Sequence, residues 1–322
     1  MISGAIGILL TSSQVVAAQE PQAAIKPGPQ IAGCPIFPAD NVWNVPVDKL
    51  PLDSHSQTYV NTIGADLHVH PNFGADPNNG IPITITDHKV KHVKVTFEYR
   101  DDSDLGNYPI PPDALVEGGP TAKADDDRHV IVIDKDRCML MELYSAQLQP
   151  DNSWKAGSGI KMDLTDNALR DADKTSADAA GLAILPGLIR YDEVAAGEIR
   201  HALRFTAPKS QRAYVWPARH FASRTTDTKY PPLGVRFRLR ADYNIAGFSK
   251  TNQVILTALK RYGMILADNG GAWYVVGTPD PRWDDTDLHE LHNILGKEFE
   301  AVDESDWQFL ANSGRVDPVS FK

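Results

Sequence analysis

Strict alternation in Val235-Arg-Phe-Arg-Leu-Arg-Ala241 places Val235, Phe237 and Leu239 on one face of an extended segment and Arg236, Arg238 and Arg240 on the other. A helix would scatter this period-two pattern around its axis, so a strand with one apolar and one cationic face is expected. Val93 to Tyr99, His129 to Asp134, Cys138 to Tyr144, Ile199 to Phe205 and Trp273 to Gly277 are further strand candidates, separated by Pro, Gly, Asn and Asp turns. With 322 residues, 42% of them hydrophobic, the chain can bury a large core. These features predict a mainly β fold, an antiparallel sandwich or jelly-roll-like domain, with a few peripheral helices.

Two helices are expected near the C-terminus. Ser249 is placed to cap the first, where Val254, Ile255, Ala258, Leu259 and Tyr262 recur at helical spacing up to Gly263. The second starts around Asp284, with acids suited to a helix N-terminus and a Leu288, Leu291, Leu295 stripe. Between the helices, Met264 to Gly277 reads as a hairpin turning at Asp268-Asn269-Gly270-Gly271.

The N-terminal stretch has a short apolar run, Ala5 to Leu10, and then Val16-Ala17-Ala18, a pattern suited to cleavage after Ala18. Residues 1–18 are therefore expected to be a signal peptide without its basic start, residues 19–33 a disordered leader, and residues 34–322 one β-rich domain. Export would place the protein outside the cell or in a periplasm. There Cys34 and Cys138 can close a disulfide that ties the leader to the fold. No segment is long and apolar enough to suggest a membrane span.

Charge is unevenly distributed. The chain carries a formal net charge of -10, yet ten Lys or Arg stand against one acid, Asp227, between Arg200 and Arg240. Such a tract suits either a site for an anion or a set of arginines neutralised by surrounding acids. A pI near 5.4 and the expected export argue against nucleic acid as the partner.

Candidate functional groups follow from the strand register. If Lys135 and Asp136 form a two-residue loop, Ile133 faces Cys138, Ile131 faces Leu140 and His129 faces Glu142. An imidazole beside a carboxylate can serve as a base or supply metal ligands. Within Arg190 to Phe205, His201 shares the apolar face of its strand, and Asp192, Glu193 and Glu198 lie just upstream. Trp216-Pro-Ala-Arg219-His220 joins aromatic, cationic and imidazole groups, while His68-Val-His70 offers a weak metal-type pair. There is no Gly-rich phosphate loop, nucleophile elbow or Cys-rich zinc pattern.

Three stretches carry a resemblance. Thr175-Ser-Ala-Asp-Ala-Ala-Gly-Leu182 and Leu185-Pro-Gly, then His220-Phe-Ala-Ser223, then Tyr262-Gly-Met-Ile-Leu-Ala-Asp-Asn-Gly270 resemble segments of uncharacterised exported bacterial proteins. The resemblance implies export and no particular activity.

The residues point to a secreted carbohydrate-active enzyme cleaving a polysaccharide, including an acidic one. Hydrolysis would use two carboxyl groups, Glu142 with Asp192 or Glu193. Elimination would use His129 or His201 as base and Arg219 as a clamp on a uronate. Trp216, His220, Arg236, Arg238 and Arg240 are the further substrate-binding candidates. No cofactor is required by either chemistry. A non-catalytic envelope protein gripping an anionic glycan is the second expectation. A divalent-metal enzyme with His129, Glu142, His201 and His220 as ligands is the third.

Overall fold

The computed structural model describes residue 1, residues 28–308 and residues 310–316. The expected signal peptide beyond Met1 and most of the expected leader lie outside the described residues. Within the described part of the leader, Gln30–Ile31 pairs antiparallel with Cys34–Pro35.

The chain is mostly β, with several sheets, few helices and no closed barrel among the described residues. The expected strands form at Val93–Phe97, Val130–Asp134, Met139–Tyr144, Leu203–Ala207, Arg236–Leu239 and Tyr274–Val276, the fourth beginning only at Leu203, so that His201 precedes the strand and does not lie on its apolar face. Their directions correct the antiparallel expectation. Ile83–Thr86 runs parallel to Val130–Asp134, Trp154–Ala156 parallel to Val93–Phe97, and Leu203–Ala207 parallel to Met264–Asn269. Alternation within one strand reports its faces and carries no information about the direction of its neighbours.

The largest sheet has six strands in the order Phe299–Ala301, Arg236–Leu239, Met264–Asn269, Leu203–Ala207, Tyr274–Val276 and His70–Asn72. The hairpin expected over residues 264–277 is therefore opened, because Leu203–Ala207 lies between its two arms. The turn itself is tied to that intervening strand: Gly270 N donates to Ala207 O at 2.9 Å, and Thr206 Oγ1 donates to Gly271 O at 2.8 Å. Beside this strand, the Trp273 ring meets Phe205, Phe237 and Phe299 at centroid distances of 5.7, 5.6 and 5.3 Å. Its indole N–H is satisfied by Gly64 O at 2.8 Å, so the core takes up the whole side chain without an orphan donor.

Two four-stranded sheets share a second, smaller core. Val95, Tyr108 and Trp154 come from one of them, and Val130, Val132 and Leu143 from the other. The hairpin from Val130 to Tyr144 has the register Ile131 to Glu142, Ile133 to Leu140 and Asp134 to Met139. Its loop spans residues 135–138, two residues longer than expected, so His129 and Glu142 are not cross-strand partners. Cys138 has a φ of 51°, and Asp134 Oδ1 accepts from the backbone N–H groups of Asp136 and Arg137. That carboxylate builds the wider turn, a preference that pair counting does not include.

The first C-terminal helix, Lys250–Arg261, forms as expected, and Ser249 Oγ accepts from Asn252 N at 3.2 Å. Ser249→Ala is expected to cost about 1 kcal/mol, read as a shift in the urea midpoint. The second helix stops after Asp285–His289 and continues as a 3-10 turn, Glu290–Asn293, which leaves Leu295 outside the expected stripe. Asp284 caps it by accepting from Thr286 N and Asp287 N.

Cys34 and Cys138 form a disulfide, with Cα atoms 5.3 Å apart at a sequence separation of 104. Removing a native bridge typically costs about 2–4 kcal/mol because the unfolded chain regains the entropy of a long open loop. The double substitution to Ala should lower the unfolding midpoint accordingly, and the oxidised protein should lose the same increment on reduction. No helix among the described residues is long and apolar enough to cross a membrane.

Candidate active site

A cavity of about 580 Å³ lies where the three stretches that carry the sequence resemblance meet. Thr175 to Ala179 form one wall, His220 and Ala222 another, and Asp268 and Asn269 a third; Tyr99, Asp102, Asp127, Tyr144 and Ser158 complete it. Sequence separation is large, but topology closes the gap. Ala180 N donates to Ala267 O at 2.8 Å, and the backbone N–H groups of Arg219 and His220 both donate to Ala180 O.

Asp178 is positioned by its own loop. Its N–H donates to Ser176 Oγ at 2.8 Å, and its carbonyl accepts from Gly181 N at 3.0 Å. Gly181 closes this turn with a φ of 69°, where any Cβ would strike Lys174 O. The Asp178 carboxylate then receives Arg204 through two bonds, Nε to Oδ2 at 2.6 Å and Nη2 to Oδ1 at 2.8 Å. Arg204 comes from the central strand of the six-stranded sheet, and both side chains are buried.

Asp268 stands at the end of the adjacent strand, with Oδ2 3.7 Å from Arg204 Nη2. Arg204 is committed to Asp178, so Asp268 receives only partial compensation. Burial, followed by repulsion from Asp178, raises its pKa well above the ordinary carboxylate range, against the pull of Arg204. Its side chain nevertheless keeps 28% of its surface open, on a residue that lines the cavity. A carboxyl that holds its proton near neutrality and remains accessible is suited to general-acid chemistry.

His220 shares the cavity. Its Nδ1 lies 2.9 Å from Ala179 O, an acceptor only, so Nδ1 carries a hydrogen there and Nε2 is the acceptor in the neutral ring. Asp102 and Asp127 add carboxylates to the lining, and the Tyr99 and Tyr144 rings add apolar surface.

Behind this wall sit two of the residues singled out from sequence. His129 is buried with Nδ1 2.6 Å from Glu117 Oε2 and Nε2 3.1 Å from Ala177 O, so both ring nitrogens face acceptors. Burial opposes its charge, but the Glu117 carboxylate outweighs burial and pushes the pKa up to about 9. Stability from the protonation of His129 should be fully present below pH ~6.5, the ordinary histidine value, while Glu117 stays ionised, and be lost as pH rises through about 9. Thermal midpoints at pH 7 and pH 10 should show the fall, and His129→Gln should flatten it. Glu142 is completely buried and accepts from Ile184 N at 2.9 Å and Leu185 N at 2.9 Å, anchoring the turn Leu185–Gly187. Burial pushes its pKa up to about 7, although these two amides pull it down.

The other expected residues lie elsewhere. His201 and Glu193 form a buried pair, Nε2 to Oε2 at 3.0 Å, with Arg190 Nη2 2.9 Å from Glu193 Oε1. Asp192 points outward with 57% of its side chain exposed. Trp216, Arg219 and Arg236 line a different cavity. The cationic strand face is neutralised: Arg236 meets Glu304, Arg238 meets Glu300 and Arg240 meets Asp242. His129, Glu142, His201 and His220 thus have separate partners, and among the described residues no three His, Cys, Asp or Glu side chains are grouped as a metal would require.

Asp178, Asp268, Asp127, Tyr99 and Tyr144 were not singled out as site residues from sequence. Asp178 and Asp268 do fall within the stretches that carry the resemblance, and a conspicuous turn surrounds Asp268. Compared with family models, curated proteins and solved structures, the chain matches none.

Proposed function

We propose that this chain is a secreted carbohydrate-active enzyme that hydrolyses a polysaccharide in the Asp268–His220 cavity. The observation that carries this is the unequal sharing of Arg204. It holds Asp178 as an ion pair and leaves Asp268 accessible and inclined to stay protonated. Asp268 is assigned as the proton donor to the leaving oxygen. Asp127, an exposed carboxylate on the same cavity, is assigned as the second carboxyl that hydrolysis requires, and His220 Nε2 is placed to accept a hydroxyl hydrogen. Tyr99 and Tyr144 offer ring faces to a sugar. The donor role moves here from Glu142, because Glu142 is sealed from solvent and spent on backbone amides.

Among the described residues four carboxylates line the cavity, and the nearby arginine is already paired. That balance favours a neutral glycan over an acidic one, since a uronate would meet like charge. It also favours hydrolysis over elimination, which needs a cation to neutralise the uronate carboxylate. The anionic-glycan binder draws less support, because Arg236, Arg238 and Arg240 already have carboxylate partners. The two four-stranded sheets that enclose the smaller core are read as a sandwich supporting the Asp127 and Tyr144 wall.

Incubation of the purified protein with neutral and acidic polysaccharides should release reducing ends from a neutral one without the ultraviolet absorbance of an unsaturated product. Absorbance gain on a uronate polymer would instead establish elimination, and neither signal on any glycan would sink the enzyme assignment. The disulfide fits an oxidising compartment. Export predicts that mature protein recovered from its native host begins at Gln19, which N-terminal sequencing checks.

A further inference from the structure

A second cavity, about 600 Å³ in volume, is lined by Tyr59, Tyr214, Trp216, Arg219, Arg236 and Glu304, among others. Asp268, His220 and the rest of the cleavage cavity take no part in it. Both of its arginines are committed to protein acceptors, Arg236 through its two Nη atoms. Arg219 donates from Nε to Arg170 O at 2.7 Å, from Nη1 to Ala311 O at 2.8 Å and from Nη2 to Asn312 Oδ1 at 2.7 Å. Arg236 donates to Val45 O and Val42 O, and its Nε lies 3.0 Å from Glu304 Oε1. That last contact is close but not aligned, so Arg236 Nε and Glu304 Oε1 are both buried without a hydrogen-bond partner. Glu304 is only 8% exposed.

An anion would find no uncommitted guanidinium here among the described lining residues. Asp53, Asp303 and Glu304 on the wall are carboxylates that can accept from the hydroxyl groups of a ligand and would repel an anion. The aromatic groups favour the same ligand. Trp216 Nε1 is held by Ser313 O at 2.9 Å and Tyr214 Oη by Asp173 Oδ1 at 3.1 Å, which fixes both rings while leaving them half-buried on the cavity wall. Fixed rings beside hydrogen-bonding groups suit a molecule with apolar faces and a hydroxyl rim.

We propose that this second cavity is a binding site for a neutral saccharide, distinct from the cleavage site, with Trp216 and Tyr214 as ring platforms and the wall carboxylates of Asp53 and Asp303 as hydrogen-bond acceptors. The choice of saccharide rests on the glycan function proposed above, but binding is measured separately from cleavage. The test is calorimetric titration of the full chain, carrying Asp268→Asn to suppress turnover, with hexasaccharides of glucan, xylan and mannan and with oligogalacturonate. A neutral hexasaccharide should bind. Trp216→Ala and Tyr214→Ala should each weaken it by about ten-fold or more, and Trp216→Phe should retain most of the affinity.

Unchanged unfolding midpoints in the Tyr214→Ala and Trp216→Phe proteins separate loss of a platform from loss of the fold. Absence of binding to every neutral hexasaccharide, binding of oligogalacturonate alone, or affinity indifferent to both Ala substitutions would overturn the site. If glycan is cleaved but affinity ignores Trp216 and Tyr214, this inference fails and the hydrolase stands. If affinity follows those two rings but no glycan is ever cleaved, the site stands and the hydrolase fails.

Discussion

Asp178→Ala is expected to destabilise the protein by about 3–5 kcal/mol, because it strands the Arg204 guanidinium in a buried position. Both members of the pair are nearly inaccessible, with side-chain exposures of 0% for Asp178 and 5% for Arg204, and two bonds join them. Asp268, 3.7 Å from Arg204, can offset only part of the loss. The penalty comes from an unpaired buried charge, so removing both partners should be milder. Asp178→Leu combined with Arg204→Met should cost less than Asp178→Ala alone, a comparison that urea unfolding of the three proteins makes directly. A single-variant cost below about 1 kcal/mol, the usual range of exposed pairs, would mean that water reaches Arg204.

Asp268→Asn should leave the fold intact and reduce glycan hydrolysis by about 10²–10⁴-fold, the usual contribution of one general acid. Asparagine keeps the shape and removes the transferable proton. The loss should fall on kcat, with KM little changed. In the unmodified enzyme, activity should fall on the alkaline side, because a donor must be protonated and burial beside Asp178 keeps Asp268 protonated to a higher pH than an ordinary aspartate. Asp178→Asn removes the repulsion and frees Arg204 toward Asp268, so the alkaline limb should move to lower pH. An unshifted limb in that variant, with activity retained, would show that another group supplies the proton.

Much of the secondary structure was legible before the fold. Alternation at Val235 to Ala241 located a strand that buries Phe237 and Leu239, and Ser249 marked the start of a helix. The pairing of Cys34 with Cys138 followed from having only two cysteines in a chain that reads as exported. Register was harder. A carboxylate at the end of the strand, Asp134, draws residues 135–138 into a four-residue loop, and that change of two positions separates His129 from Glu142. The cationic face of the Arg236 to Arg240 strand was real as a pattern, yet its charge is met by Glu304, Glu300 and Asp242, of which Glu300 and Glu304 lie some sixty residues downstream.

The amino-acid sequence alone determined several of the extended segments, the capped helix after Ser249, and that one disulfide is available, because these depend on side-chain periodicity, local capping and composition. Tertiary structure decided which acids share a cavity and which cations are already spent. Asp178, Arg204, His220 and Asp268 come from four distant segments, brought together by parallel pairing of Leu203–Ala207 with Met264–Asn269 and by the bonds of Ala180 to both neighbouring walls. An ionisable group's chemistry depends on burial and on its nearest opposite charge, and both are set by that long-range pairing.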